Sequence, residues 1–130
     1  MTRASGREPR AHRRALGRAA EDLAAEWLRA HGVRIVARNL HLRHAEIDLV
    51  ALDRATLCIV EVRARSSDRF GGAAESVDVR KRRRLVRAAG EALASARLPS
   101  FERVRFDVIA IDTGSDPPTV EWIRDAFYKC

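Results

Sequence analysis

The chain is poor in the residues that build sulfur-based, zinc or membrane-embedded sites. Its two cysteines, Cys58 and Cys130, form neither a ligand cluster nor a disulfide framework, which fits a reducing compartment. His12, His31, His41 and His44 show no ligand spacing, so a zinc site is not expected. Aromatic residues make up only 5% of the chain, and Trp27 and Trp122 therefore read as core residues rather than base-stacking platforms. No apolar run approaches the length of a membrane span, and no apolar segment of a signal peptide follows the basic N-terminus, so a soluble cytoplasmic protein is expected. Lysine is nearly absent too, at 2 residues against 23 arginines.

That last imbalance leads to what is present. The formal net charge is +7, with a sequence pI near 10.8. Six arginines against one glutamate in residues 1–18 contribute +5, and Arg80, Lys81, Arg82, Arg83, Arg84 and Arg87 against Asp78 contribute another +5, which leaves −3 for the remainder. Arginine pairs bidentately with phosphate, so localised excesses of this kind favour a polyanionic partner over uniform solubilising charge. A solvated helix face is the plainer explanation of the second cluster, but so many neighbouring cations repel one another without an anion nearby.

The 130 residues, 46% hydrophobic, suit one domain with one core. Residues 1–14 lack hydrophobic periodicity and read as a disordered basic arm, which leaves 15–130 as the domain. Leu16, Ala20, Leu23, Ala24, Trp27 and Leu28 recur at helical spacing, predicting a helix over about 15–30 that is stopped by Gly32. Residues 33–42, 45–52 and 55–63 read as three strands of an antiparallel meander. A loop over 64–76 contains Phe70-Gly71-Gly72, either a mobile loop or a plain turn. A second helix over about 78–97 follows, with Asp78 as N-cap, and strands at about 103–111 and 119–122 complete the order αβββαββ. The expected class is α/β, with a central mixed sheet between helices.

Two of these strands carry carboxylates inside apolar runs. Glu46 and Asp48 share one face of an ideal strand, with Ile47, Leu49 and Ala51 on the other; Leu57, Ile59, Glu61 and Arg63 share a face of the next. Both faces of that second strand are apolar up to Glu61, which implies a sheet covered on both sides. A carboxylate there is costly unless it is paired or binds a metal. Asp48 and Glu61 suit Mg²⁺ or Mn²⁺, which accept oxygen ligands from one or two carboxylates and substrate phosphate. The alternative is an ion pair with Arg63 or Arg65. Glu21, on the border of the first helix's apolar stripe, can turn toward the sheet, and Lys81 borders the second helix's stripe in the same way.

The combination of Gly17 with Glu21, the EIDLV strand, the VEVRAR strand, Phe70-Gly71-Gly72, Lys81, the RFDVIAID strand and the VEWIRDAF tail resembles the YraN-like family of small bacterial proteins. Glu46-Ile47-Asp48 followed by Glu61-Val62-Arg63 also resembles the PD-(D/E)XK pattern of restriction endonucleases and Holliday-junction resolvases. The resemblance implies a restriction-endonuclease-like fold and a Mg²⁺-dependent endonuclease acting on DNA, branched or damaged. In that reading Glu21, Asp48, Glu61 and Arg63 are catalytic, Asp48 and Glu61 bind the metal, and Arg65, Lys81, Arg82, Arg83 and Arg84 contact nucleic acid. Arg63 replaces the pattern's usual lysine, and His44-Ala45 replaces a Gly-Gly pair. A homodimer is compatible with the resemblance, because related nucleases often cut paired strands. Two other readings stand beside it: a non-catalytic nucleic-acid-binding module on the same fold, and a protein-interaction factor whose basic patches meet an acidic partner.

Overall fold

A computed structural model of the chain describes residues 10–43, 45–65, 78–95 and 97–127. The elements are α1 (Arg10–Ala30), β1 (Arg34–His41), β2 (Glu46–Asp53), β3 (Thr56–Arg65), α2 (Val79–Ser95), β4 (Arg103–Asp112) and β5 (Thr119–Ile123). Their order and type are those read from the sequence. The helix α1 begins at Arg10, five residues earlier than predicted, because Ala and Arg are strong helix formers and no proline follows Pro9 in this stretch. The rest of the predicted arm, residues 1–9, and the Phe70-Gly71-Gly72 segment lie outside the described residues.

Local chemistry sets the helix ends. At the end of α1, Val33 N–H donates to the Leu28 carbonyl and Gly32 N–H to that of Arg29, both at 3.0 Å, with Gly32 at φ +83°. This double closure needs a left-handed residue, which glycine adopts without strain. At the start of α2 the Asp78 carboxylate accepts the Lys81 amide at 2.9 Å, the N-cap expected of it. That hydrogen bond is also the main reason the Asp78 pKa is lowered.

The five strands form one mixed sheet in sequence order. The meander β1–β2–β3 is antiparallel, β3 and β4 pair in parallel from Thr56↔Arg103 to Arg65↔Asp112, and β5 returns antiparallel to β4. α1 covers one face, packing Ala20, Ala24, Ala25 and Leu28 on Leu49, Ala51, Cys58, Val60, Ile109 and Ile111. α2 covers the other, packing Leu85, Ala88, Ala89 and Ala92 with Ile47, Val50, Leu57, Ile59, Phe106 and Val108. β3 alternates between these clusters residue by residue, as its two-sided apolar pattern requires.

The alternation predicted for β2 fails at Asp48. Ile47 packs on the α2 side with Val50, whereas Leu49 and Ala51 pack on the α1 side, so Ile47 does not share their face. The ladder is irregular at this point. Asn39, opposite Asp48 in β1, has a left-handed backbone (φ +51°), and a further register shift lies between Ile35 and Ala37. No helix among the described residues is long and apolar enough to cross a membrane.

Burial on both faces also isolates Asp107, which is fully inaccessible in the middle of β4. Its carboxylate accepts four hydrogen bonds: Arg105 Nε at 2.9 Å and Nη2 at 3.0 Å, Trp122 Nε1 at 2.8 Å, and the Asp125 amide at 2.9 Å. The arrangement ties β5 and the segment after it to β4. Above it, Cys58 is buried beside Asp107, and that environment pushes its thiol pKa up to about 12. Removing one partner of a buried charge pair leaves the other uncompensated. Asp107→Ala is therefore expected to cost about 3–5 kcal/mol of unfolding free energy in urea titrations, whereas Asp112→Ala, on the same strand but less buried, costs under half of that.

Candidate active site

Strands β2 and β3 pair from Asp53↔Thr56 up to Leu49↔Val60. One step further the ladder stops, and the Val62 amide donates at 2.9 Å to Oδ2 of Asp48 instead of to a strand carbonyl. The side chain thus takes the place of a backbone acceptor at a fork between two strands. Glu61, the neighbour of Val62, is only 5% exposed and points to the α2 side, in line with Leu57 and Ile59. Asp48 and Glu61 lie within hydrogen-bonding reach of each other.

Two cations reach Glu61, and both meet the same oxygen. Arg63 Nε lies 3.3 Å and Lys81 Nζ 3.5 Å from Oε2. The Arg63 contact is an ion pair without hydrogen-bond alignment, since Arg63 Nε has no hydrogen-bond partner among the described residues. Glu61 Oε1 is buried with no donor at all among the described residues. Two facing carboxylates are both acceptors when ionised, so a proton or a cation must sit between them to relieve the repulsion.

The electrostatics follow from that geometry. Burial, and then the Asp48 charge, raise the Glu61 pKa to about 7 despite Lys81 and Arg63. Burial likewise raises that of Asp48, against the pull of the Val62 amide and Lys81. Glu21, on α1, is half-buried; burial and the Asp48 charge raise its pKa, while a hydrogen bond from Asn39 and the nearby Arg38 oppose the rise. Its Oε1 is another buried oxygen without a hydrogen-bond partner among the described residues. Among the described residues no three Asp, Glu, His or Cys side chains close into a metal-ligating group, so Glu21 is near Asp48 without forming a three-ligand set with the pair.

The structure therefore brings together Asp48, Glu61, Arg63 and Lys81, with Glu21 adjacent. Lys81 was read as a nucleic-acid contact, yet its ammonium is turned inward onto Glu61. Glu46 is exposed and pairs with His41 at 3.0 Å, away from the buried pair. Arg65 is half-buried, and its carbonyl accepts from the Thr113 amide at 2.7 Å. The Arg82 guanidinium lies over the Phe127 ring, 5.5 Å from its centroid, whereas Arg83 and Arg84 are exposed.

Sequence reasoning missed two residues. Asn39 had no signal beyond its tolerance of left-handed backbone, which is what its position requires. Asp107 carried the same signal as Asp48, a carboxylate inside an apolar strand, and turned out to be the better satisfied of the two.

Fold and site together define a class: a small three-layered α/β protein, one sheet between two helices, with a desolvated carboxylate pair, flanked by lysine and arginine, at a strand fork. Residues 20–111 match the profile of the uncharacterised protein family UPF0102, and the chain belongs to that family. Similar proteins include UPF0102 proteins of Alcanivorax borkumensis (45% identical over 114 residues, 87% of this chain and 91% of the relative) and Methylococcus capsulatus (46% over 115 residues, 88% and 92%). Another, from Ralstonia nicotianae, is 50% identical over 119 residues, covering 87% of this chain and 86% of its own. The YraN-like resemblance is thus shown at the level of the family. The matched region contains all five residues of the cluster.

The Glu61 pKa carries a stability prediction. An acid whose folded pKa (about 7) lies above its ordinary value (4.5) contributes stability that is full below pH 4.5 and is lost as pH rises through 7. In the presence of EDTA the loss for Glu61 is on the order of 3 kcal/mol between those limits. Glu61→Gln, which cannot ionise, should flatten this part of the profile in thermal melts. A variant with the wild-type pH dependence would remove Glu61 as its source.

Proposed function

We propose that this protein is a Mg²⁺- or Mn²⁺-dependent endonuclease on a restriction-endonuclease-like fold, hydrolysing phosphodiester bonds in DNA, branched or damaged. The observation that carries this reading is the buried Oε1 of Glu61, which has no donor among the described residues, on a carboxylate that faces that of Asp48. Such a pair suits a hard cation that takes its remaining ligands from water and substrate phosphate. Bound there, the ion would supply an activated water and neutralise charge on the scissile phosphate.

The chain's own residues divide the other tasks. Asp48 and Glu61 hold the cation, and the Val62 amide fixes the Asp48 carboxylate in orientation. Arg63 and Lys81 hold Glu61 through one oxygen only, and each has donors left for a phosphate. Arginine is too weak an acid to serve as a base at neutral pH, so Arg63 acts by charge and position. Glu21 and Asn39 stand behind Asp48 as positioning residues. Exposed Arg83 and Arg84 extend the positive surface along α2 for the nucleic-acid backbone.

Purified protein incubated with branched, nicked and single-stranded DNA in Mg²⁺ or Mn²⁺ is expected to cleave at least one substrate. Asp48→Ala and Glu61→Ala should reduce cleavage to background, and Arg63→Ala should lower it by roughly 10²-fold. Cleavage that survives both carboxylate substitutions would overturn the assignment.

A second reading, a non-catalytic nucleic-acid-binding module, is favoured by one observation. Arg63 stands where the nuclease pattern has lysine, and its guanidinium is engaged with Glu61. Both readings predict salt-sensitive binding. Replacing Arg83 and Arg84 together by Ala should lower the slope of log K against log salt by about 2, close to 1 per phosphate contact. Binding without turnover under every metal condition would decide for the second reading.

A further inference from the structure

The opposite end of the sheet is lined by arginines. Thr56, paired with Asp53 across the β2–β3 turn, lies five residues before Glu61 on β3, about 16 Å away at the rise of a strand. A cavity of about 790 Å³ opens there on the α1 side. Its size is in the range of small-molecule sites, roughly 300–1000 Å³. Four arginines line it, Arg54, Arg103, Arg105 and Arg124, against a single acidic residue, Asp53. With Asp107 behind Arg105 counted as well, four positive charges face two negative ones, a surplus of two.

The surplus is placed by the fold. The Ala55 carbonyl accepts the Glu102 amide at 2.7 Å and the Arg103 amide at 3.4 Å, which sets the Arg54 turn beside the start of β4. Arg54 has φ +59° at a turn where glycine or asparagine would sit without strain, so a charged side chain is presented there at conformational cost. Arg105 is committed to Asp107 and Asp53. Arg54, Arg103 and Arg124 pair with no carboxylate among the described residues. Unpaired guanidinium groups converging on one cavity attract an anion, and their planar forks fit phosphate.

The remaining wall is aromatic. Trp122 carries the Arg124 guanidinium 3.9 Å above its ring centroid, and Trp27 meets Trp122 edge to face at 6.1 Å while stacking on His31 at 3.8 Å. Nucleobases stack on guanidinium planes and exposed imidazole rings of this kind. We infer that this cavity is a second ligand site, which binds a nucleotide unit by its phosphate at Arg54 and Arg103 and by its base against the Arg124–Trp122 and His31–Trp27 stacks. Two sources supply that chemistry, a free nucleotide and the phosphorylated end of a nucleic-acid strand. Trp122 and Arg124 lie beyond the residues matched to the family profile, and the inference does not depend on metal binding at Asp48 and Glu61.

The protein carries its own reporter, because its two tryptophans are the two in this wall. Tryptophan fluorescence is titrated with adenosine 5′-monophosphate, with a short single-stranded oligonucleotide bearing a 5′-phosphate, with the same strand bearing a 5′-hydroxyl, and with inorganic phosphate. The expected result is a saturable change with the phosphorylated ligands and at least tenfold weaker binding in the Arg54→Glu/Arg103→Glu protein. Both substituted side chains are exposed, and an unchanged emission spectrum and melting temperature of the free variant confirm its fold. Tighter binding of the phosphorylated strand than of the mononucleotide assigns the site to strand ends; equal binding assigns it to free nucleotides. The inference is overturned by equal affinity in the double variant, by fluorescence that responds to no nucleotide, or by binding of the 5′-hydroxyl strand as tight as that of the phosphorylated one. Failure of the protein to cleave DNA would leave a positive titration standing, so the two readings fail separately.

Discussion

Everything distinctive in this protein follows from the burial of β3 and β4 on both faces. With α1 on one side and α2 on the other, an ionised group in the middle of the sheet has no water to turn to and must be compensated in place. Asp107 and Glu61 meet that constraint in contrasting ways. Asp107 accepts four well-formed hydrogen bonds that use both oxygens, the pattern of a charge kept for structure. Glu61 has two cations crowded on one oxygen, no donor on the other among the described residues, and a second carboxylate facing it. The contrast is between a carboxylate whose charge is fully compensated and one whose charge is not, and it is the uncompensated one on which the proposed site rests.

The same constraint explains where the site lies. A carboxylate cannot sit within a continuous ladder without losing its hydrogen-bond partners, but at the end of the β2–β3 pairing the Asp48 side chain replaces a backbone acceptor and receives the Val62 amide. The fork also lets the helices contribute from both faces, Lys81 from α2 and Glu21 from the α1 side through Asn39. At the far end of β3 the turn is tight, the carboxylates are already matched by Arg105, and the remaining arginines turn outward around a cavity. One strand thus connects a buried carboxylate pair and an arginine-lined cavity.

Much of this was legible in the residues. Element order, the N-cap at Asp78, the stop at Gly32, the two-sided cover of β3, and Asp48 and Glu61 as carboxylates out of place in apolar strands are all consequences of period and local chemistry. Other features were not. The face of Ile47 was misassigned because strict alternation holds only in a regular ladder, and the left-handed Asn39 accompanies the break at Asp48. Arg82 counted toward a solvent-facing basic cluster, but its guanidinium lies on Phe127, a partner more than forty residues away. The early start of α1 was missed because charge outweighed helix propensity in reading residues 10–14.

The amino-acid sequence by itself determined the α/β class, the single sheet, the family, and which carboxylates cannot be ordinary core residues, because these depend on spacing along the chain and on the cost of burying charge. Only the tertiary structure decided that Asp107 is satisfied and Glu61 is not, that Lys81 turns inward, and that Arg54, Arg103 and Arg124 share a cavity with both tryptophans. The reason is physical: whether a buried charge is compensated depends on groups brought from distant parts of the chain, and no local pattern records which of them arrive.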